Sequence, residues 1–166
     1  MEVSASRLAE YREELDEIKR QIPIISKQKR EARAEGDLRE NTEYDIASQE
    51  LDQALSRKIE LERIIEEATV IENDSSNRIG IGSYVRIDPI SHPDVGVRVL
   101  RVDSSGITVS EDPMKRILSI NSKLGNAINN STSGVYKIQT DRGEMTYSVK
   151  KITREEAEEF YGIKNS

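Results

Sequence analysis

The sequence contains no cysteine and no tryptophan, and it has one histidine and one phenylalanine among 166 residues. Because there is no cysteine, disulfide bonds and thiolate metal sites are excluded. His92 is the only histidine, so a multi-histidine metal site or a Ser-His catalytic pair is not expected. With so few aromatic residues, we expect a thin helical seam and a small compact domain rather than one large core.

Long apolar runs are also missing. No stretch approaches the ~20 apolar residues that a membrane-spanning helix requires. The first residues, MEVSASRLAEYREELDE, are acidic and lack the apolar segment of a signal peptide. We therefore expect a cytoplasmic protein with no membrane partner.

Charge is abundant and unevenly distributed. Charged residues make up 34% of the chain and the formal net charge is −6. Residues 1–70 hold 12 Lys and Arg against 18 Asp and Glu, whereas residues 71–166 hold 13 against 13. A net-acidic first half is not typical of general nucleic-acid binders. Its basic residues nevertheless cluster in KQKREAR. We call Lys27, Lys29, Arg30 and Arg33 the basic collar. The simplest interpretation of the basic collar is a solvent-exposed helix face.

The apolar residues of the first 70 positions follow a heptad pattern. They recur at alternating steps of three and four in two segments: Leu8, Tyr11, Leu15, Ile18, Ile22, Ile25 and Ala32, then Tyr44, Ala47, Leu51, Ala54, Leu61, Ile65 and Ala68. Two such seams joined at Gly36 predict an antiparallel helical hairpin, or coiled coil, over residues 1–72. Pro23 predicts a kink or a short break near Gln21–Ile22. The second helix is expected over residues 41–70.

The remaining residues change to a strand pattern. A polar linker is expected at 73–78, followed by β-branched runs such as SYVRI, VGVRVLRV, GITVSE, VYKIQT and MTYSVKKI, which predict a mostly antiparallel sheet over 79–152. A short helix is expected around Ser122–Asn129. Thr153 and Glu156 have capping-box spacing and predict a helical extension over 153–166, with Phe160 or Tyr161 as its anchor. The predicted fold class is α+β.

The segment between the two seams, EARAEGDLRENTEYDIA, carries four carboxylates in the nine residues from Asp37 to Asp45. We expect Gly36 to end the first helix in a left-handed conformation, and Asn41 or Thr42 to cap the second. In a helical turn, the i,i+3 spacing of Asp37 and Glu40 places both carboxylates on one face.

Two neighbouring carboxylates are half of a magnesium site, because magnesium binds through one or two carboxylates together with phosphates and waters. A partner that already owns carboxylates, metal and a phosphodiester would complete the site, as in two-metal phosphoryl chemistry. A simpler role also remains open. Asp37 and Glu40 could act only by interacting with the positive end of the dipole of the following helix. Each such interaction stabilises the helix by ~0.3–1 kcal/mol.

The same segment resembles the signature of the bacterial transcript-cleavage factors of the Gre family, which is close to G-D-L-x-E-N-x-E-Y. The matching residues are Gly36, Asp37, Leu38, Glu40, Asn41, Glu43 and Tyr44. IGIGSYVRI and LSINSKLGNAI also look like segments of that family. The resemblance implies that the sheet domain is FKBP-like.

The resemblance also implies a function. Gre factors insert their coiled coil into the secondary channel of bacterial RNA polymerase, while the second domain grips the channel rim. Asp37 and Glu40 would be the catalytic pair, helping to hold a second magnesium and an attacking water in the polymerase active site, so that backtracked RNA is cut internally. Arg33 and Arg39 would contact RNA or polymerase, and Gly36, Asn41 and Tyr44 would shape the tip. Such a factor acts as a monomer. It stimulates RNA cleavage by the polymerase and is not itself an enzyme.

Three other functions are compatible with parts of the sequence. A Gre homologue that inhibits the polymerase would carry an altered acidic cluster, whereas the Asp37/Glu40 spacing follows the cleavage pattern. A prolyl isomerase or chaperone needs an aromatic-lined pocket, and residues 78–152 contain only three tyrosines as aromatics. An inert coiled-coil scaffold leaves the tip unexplained. The sequence departs from the family pattern in the sheet domain, at Lys123, Asn129, Asn130 and Val135.

Overall fold

The computed structural model describes residues 1–36, 41–72, 76–105 and 110–163. The chain divides into two compact units. The helical unit comprises Met1 and Ser6–Ala68, and the sheet unit comprises Glu2–Ala5 with Thr69–Ser166.

The helical unit consists of α1 (Ala5–Ala34) and α2 (Thr42–Glu67). Their buried residues repeat at heptad spacing and are Leu8, Tyr11, Leu15 and Ala32 on α1 and Ala47, Leu61 and Ile64 on α2. Glu14 contacts Arg57 and Ala32 contacts Asn41, which is the order expected of antiparallel helices. The predicted antiparallel hairpin is therefore confirmed.

Helix α1 runs through Pro23 without a break, so of the kink or short break predicted near Gln21–Ile22, the break is wrong. Proline removes one backbone hydrogen bond. In a helix of 30 residues, the bonds on either side of Pro23 keep the remaining turns in register.

Helix α2 ends earlier than the heptad pattern predicts. Ala68 has φ −68° and ψ 132°, an extended conformation, and β2 follows at Thr69–Ile71. Thr, Val and Ile are β-branched and favour a strand, which explains why the helix does not continue to residue 70. Strand β2 pairs in parallel with β1 (Glu2–Ser4), with Glu2 opposite Thr69 and Ser4 opposite Ile71.

The main sheet has five strands in the order β5-β4-β3-β7-β6. The strands are β3 (Tyr84–Asp88), β4 (Arg98–Asp103), β5 (Ile117–Ser119), β6 (Gly134–Thr140) and β7 (Gly143–Ile152). Only the β4–β5 pairing is parallel among these strands; the other pairings are antiparallel, as the sequence predicts. The run GITVSE, also expected as a strand, lies largely outside the described residues at 106–109.

Two short helices cover the two faces of the sheet. Helix α3 (Lys123–Ile128), at the predicted position, packs on the main core, which includes Val85, Ile87, Leu100, Val102, Leu124, Ile128 and Val149. Helix α4 (Arg154–Phe160) contributes Ala157 to a smaller cluster on the other face, with Tyr84 and Val99. The predicted α+β class is confirmed.

The capping box before α4 is confirmed on its Thr side, because Thr153 Oγ1 accepts a hydrogen bond from the backbone N–H of Glu156 at 3.1 Å. The Tyr161 hydroxyl donates to the Val99 carbonyl, whereas the Phe160 side chain is 42% exposed. Tyr161 is therefore the anchor of this helix.

Candidate functional site

The candidate site lies at the end of the helical hairpin, between α1 and α2. Of the residues expected there, the structure describes Arg33, Gly36, Asn41 and Tyr44. The expected catalytic and metal-binding residues Asp37 and Glu40, and the expected RNA contact Arg39, lie outside the described residues.

Asn41 is the residue that begins α2. Its side-chain oxygen accepts a hydrogen bond from the backbone N–H of Tyr44 at 3.1 Å, and its own carbonyl accepts from the N–H of Asp45 at 3.2 Å. Thr42 is the first residue inside the helix. Of the two predicted capping residues, Asn41 is therefore the cap.

The amide of Asn41 also binds a carbonyl in the last turn of α1. Its Nδ2 donates to the carbonyl of Ala32 at 2.5 Å, and the N–H of Glu35 reaches the same carbonyl at 3.4 Å. The expectation that Gly36 ends the helix in a left-handed conformation is wrong. The described glycines with positive φ are Gly82, Gly96, Gly143 and Gly162, and Gly36 is not among them.

Tyr44 lies beside the ammonium group of Lys29. The ammonium of Lys29 is 5.5 Å from the centre of the Tyr44 ring, within the range of a cation–π interaction. Lys29 occupies the gap in the α1 seam, where a heptad predicts an apolar residue. Its long apolar stem and terminal charge suit a position between the helices and facing an aromatic ring.

The rest of the basic collar is open to solvent. Lys27, Arg30 and Arg33 are all exposed on α1, and Lys27 has a long contact of 3.8 Å with Glu31. Exposed guanidinium groups within two turns of the hairpin end can contact phosphate oxygens. Arg33 lies in the last turn of α1, where a cation also complements the helix dipole.

An ion pair further from the tip joins the two helices. Arg57 Nε donates to Glu14 Oε1 at 2.7 Å, and Nη2 donates to Glu14 Oε2 at 3.0 Å. These hydrogen bonds, with a further one to Glu60, raise the pKa of Arg57 above its ordinary value. The bidentate geometry holds α2 against α1 in a fixed register.

The departures from the family pattern in the sheet unit fit its local structure. Lys123 is the first residue of α3, and its Nζ donates to the carbonyl of Gln139 on β6 at 3.1 Å. Asn130 has φ 62°, a left-handed conformation that asparagine tolerates. At these two positions the residue present suits its local structure.

A groove of about 800 Å³ in the sheet unit has no aromatic side chain among its described lining residues, whereas a prolyl isomerase needs an aromatic-lined pocket. That groove is lined by polar and basic side chains together with Ile152: Ser76, Asn77, Thr132, Ser133, Lys150, Lys151, Thr153, Arg154 and Glu156. Within the described ranges, no helix is long and apolar enough to cross a membrane.

Comparison with known proteins gives the family. The family model of the N-terminal region of GreA/GreB transcription elongation factors matches residues 1–70. Transcription elongation factor GreA of Ureaplasma urealyticum is 36% identical over 131 residues, covering 76% of this chain and 80% of the relative. GreA of Thermotoga neapolitana is 32% identical over 147 residues, covering 86% of this chain and 90% of the relative.

Among solved structures, GreA factor homolog 1 (Gfh1) of Thermus thermophilus aligns with a TM-score of 0.42 and 19% identity, covering 90% of this chain and 96% of that one. The sequence matches extend well beyond the tip motif and span both units. The chain belongs to the GreA/GreB family of transcription elongation factors.

Proposed function

We propose that this elongation factor inserts its helical hairpin into the secondary channel of bacterial RNA polymerase and stimulates cleavage of backtracked nascent RNA. The observation that carries the proposal is the complete tip motif, from Gly36 to Tyr44, placed between two antiparallel helices whose ends are both bound by Asn41. Family membership supports the role in elongation.

Asp37 and Glu40 would hold magnesium at the tip. The donor set fits this ion, because carboxylate oxygens are the ligands that magnesium prefers in proteins. When bound, the ion lowers the pKa of a coordinated water and offsets charge that develops on the scissile phosphate. The polymerase supplies the remainder of that centre, so the factor stimulates a cleavage that it does not perform alone.

The other residues of the tip would orient the acidic pair and the RNA. Arg33 is exposed in the last turn of α1 and, with Arg39, would contact the phosphates near the 3′ end of the nascent RNA. Gly36, Asn41 and Tyr44 would shape the tip, and the sheet unit would grip the channel rim. We propose that the factor acts as a monomer.

The test is RNA cleavage in stalled, backtracked elongation complexes with matched polymerase. We expect Asp37→Asn and Glu40→Gln to lower stimulated cleavage by about 10²-fold, because each removes a charge that stabilises the transition state. Asp45→Asn, which changes a carboxylate in the first turn of α2 outside the motif, is the matched control and should keep most of the activity.

Competition with the wild-type factor would show that the variants still bind polymerase. Cleavage by Asp37→Asn at the wild-type rate would exclude the catalytic role. A wild-type factor that slows both cleavage and elongation would instead identify a channel inhibitor.

A further inference from the structure

One side chain makes a hydrogen bond to each of the two helix ends at the tip. Asn41 donates through Nδ2 to the Ala32 carbonyl at 2.5 Å, and accepts through Oδ1 from the Tyr44 N–H at 3.1 Å. Ala32 lies in the last turn of α1 and Tyr44 in the first turn of α2. Each partner is among the backbone groups that a helix end leaves without an intrahelical bond.

The bond to Ala32 is shielded from water. Ala32 is 6% exposed and Asn41 is half-buried. A hydrogen bond in such surroundings is stronger than an exposed one, and losing it leaves the Ala32 carbonyl with the long bond from the Glu35 N–H at 3.4 Å. The N-cap bond alone orders α2, whereas the second bond ties α2 to α1.

The two bonds define the base of the segment that carries the acidic pair. Arg33 and Ala34 complete α1, so residues 35–40 separate the helix end from Asn41, and an extended chain can span up to ~3.3–3.6 Å per residue. The covalent chain alone would therefore allow the two helix ends to lie at many separations. The Glu14–Arg57 ion pair fixes the register further along the helices, and the Asn41 side chain adds a hydrogen bond that joins the two helix ends themselves.

We propose that Asn41 is a positioning residue for the tip, which sets the separation of the two helix ends that present Asp37 and Glu40. The inference rests on the proposed function for its effect on cleavage. The restraint on the helix ends is a property of the protein alone and is measurable without polymerase.

Asn41→Ser separates the two bonds. Serine caps helices about as well as asparagine, so the bond to the Tyr44 N–H is kept. Its hydroxyl is too short to reach the Ala32 carbonyl. Asn41→Ala removes both bonds, and Thr42→Ala changes the exposed neighbour as the matched control.

The first measurement uses spin labels on the full chain. Because the protein has no cysteine, Gln28→Cys and Gln49→Cys, both exposed, give one label on each helix. We expect a narrow distribution of label–label distances for wild type and Thr42→Ala, and a broad one for Asn41→Ser and Asn41→Ala. A distribution for Asn41→Ser as narrow as that of wild type would overturn the inference.

The second measurement is stimulated cleavage as a function of factor concentration. We expect Asn41→Ser to lower the maximal rate by about tenfold, since small misplacements of reacting groups are costly. The concentration that gives half the maximal rate should stay within about twofold of wild type, because the docking surfaces are unchanged. A general loss of folding would instead change both quantities.

The outcomes separate the two proposals. Wild-type cleavage by Asn41→Ser, with Asp37→Asn inactive, would reject the positioning role and leave the proposed function standing. If the wild-type protein does not stimulate cleavage, the proposed function fails, and the label distances alone decide whether Asn41 restrains the helix ends.

Discussion

Individual residues in this protein are constrained by very local geometry, and Gly125 is the clearest case. This glycine lies in α3, and a Cβ built on it would be 1.9 Å from the backbone oxygen of Ser119 at the end of β5. A backbone atom cannot rotate away as a side chain can. Helix α3 therefore packs on the sheet at a distance that only glycine permits.

We predict that Gly125→Ala destabilises the protein by about 3 kcal/mol, because the helix must move away from the sheet or the strand must shift. Gly80→Ala is the matched control, since a Cβ there would meet nothing within 4 Å. Its effect should stay within about 0.5 kcal/mol. Urea denaturation of both variants checks the prediction, and equal midpoints would contradict it.

For the residues of the tip, some contacts are predictable from the sequence and others are not. The cap at Asn41 is predictable, because its partner is three residues away and the signal is local. Its second bond joins residues nine positions apart across a turn, and no sequence pattern encodes it. Gly36 was expected to end α1 because glycine usually does so. The Asn41 amide instead binds one of the terminal carbonyls of that helix.

At the level of elements, a buried carboxylate secures the short strand β1. Asp103, which is fully buried on β4, accepts from the Ser4 hydroxyl at 2.5 Å, the Ser4 N–H at 3.2 Å and Arg101 Nε at 3.2 Å. Arg101 is itself only 2% exposed. The first strand is therefore bound to the sheet unit by its backbone pairing with β2 and by this carboxylate.

We predict that Asp103→Ala destabilises the protein by about 3–5 kcal/mol, because it removes one partner of a buried ion pair. Ser4→Ala should cost about 1.5–3 kcal/mol, the usual range for a hydrogen bond to a charged group. Asp94→Ala, an exposed aspartate, is the control. Chemical denaturation followed by circular dichroism gives the three values, and an Asp103→Ala variant as stable as Asp94→Ala would refute the assignment.

The elements that sequence predicted well are those with long, regular patterns. The hairpin helices and the antiparallel strands are of this kind. Strand β1 has three residues, too few for a period, and its partner β2 lies more than sixty residues away. Its pairing depends on the tertiary fold. The C-terminal boundary of α2 also depends on the tertiary fold. The heptad pattern continues to Ala68 and predicts a longer helix, but the β-branched residues after Ala68 pair with β1.

For the whole molecule, the proposed chemistry is divided between this chain and a partner. Within the described residues, no group of three or more His, Asp or Glu side chains is arranged to hold a metal ion. The acidic pair of the proposed site, Asp37 and Glu40, supplies two carboxylates. A two-metal centre needs further ligands and a bound phosphodiester.

We therefore predict that the purified protein with magnesium and RNA, but without polymerase, shows no hydrolysis above a control with chelator. Electrophoresis of end-labelled RNA after long incubation is the measurement. Cleavage that disappears in the Asp37→Asn variant would contradict the view of the tip as an incomplete site.

The pairing of Ser4 with Asp103 also has a consequence for synthesis on the ribosome. The two residues are 99 positions apart, so the first strand leaves the exit tunnel long before its binding partner exists. At ~5–20 residues per second, it waits several seconds or more for that carboxylate. The helices of the hairpin contact one another over shorter separations and can form in that interval. The earliest residues of this chain thus wait for one of their native contacts while 99 further residues are made.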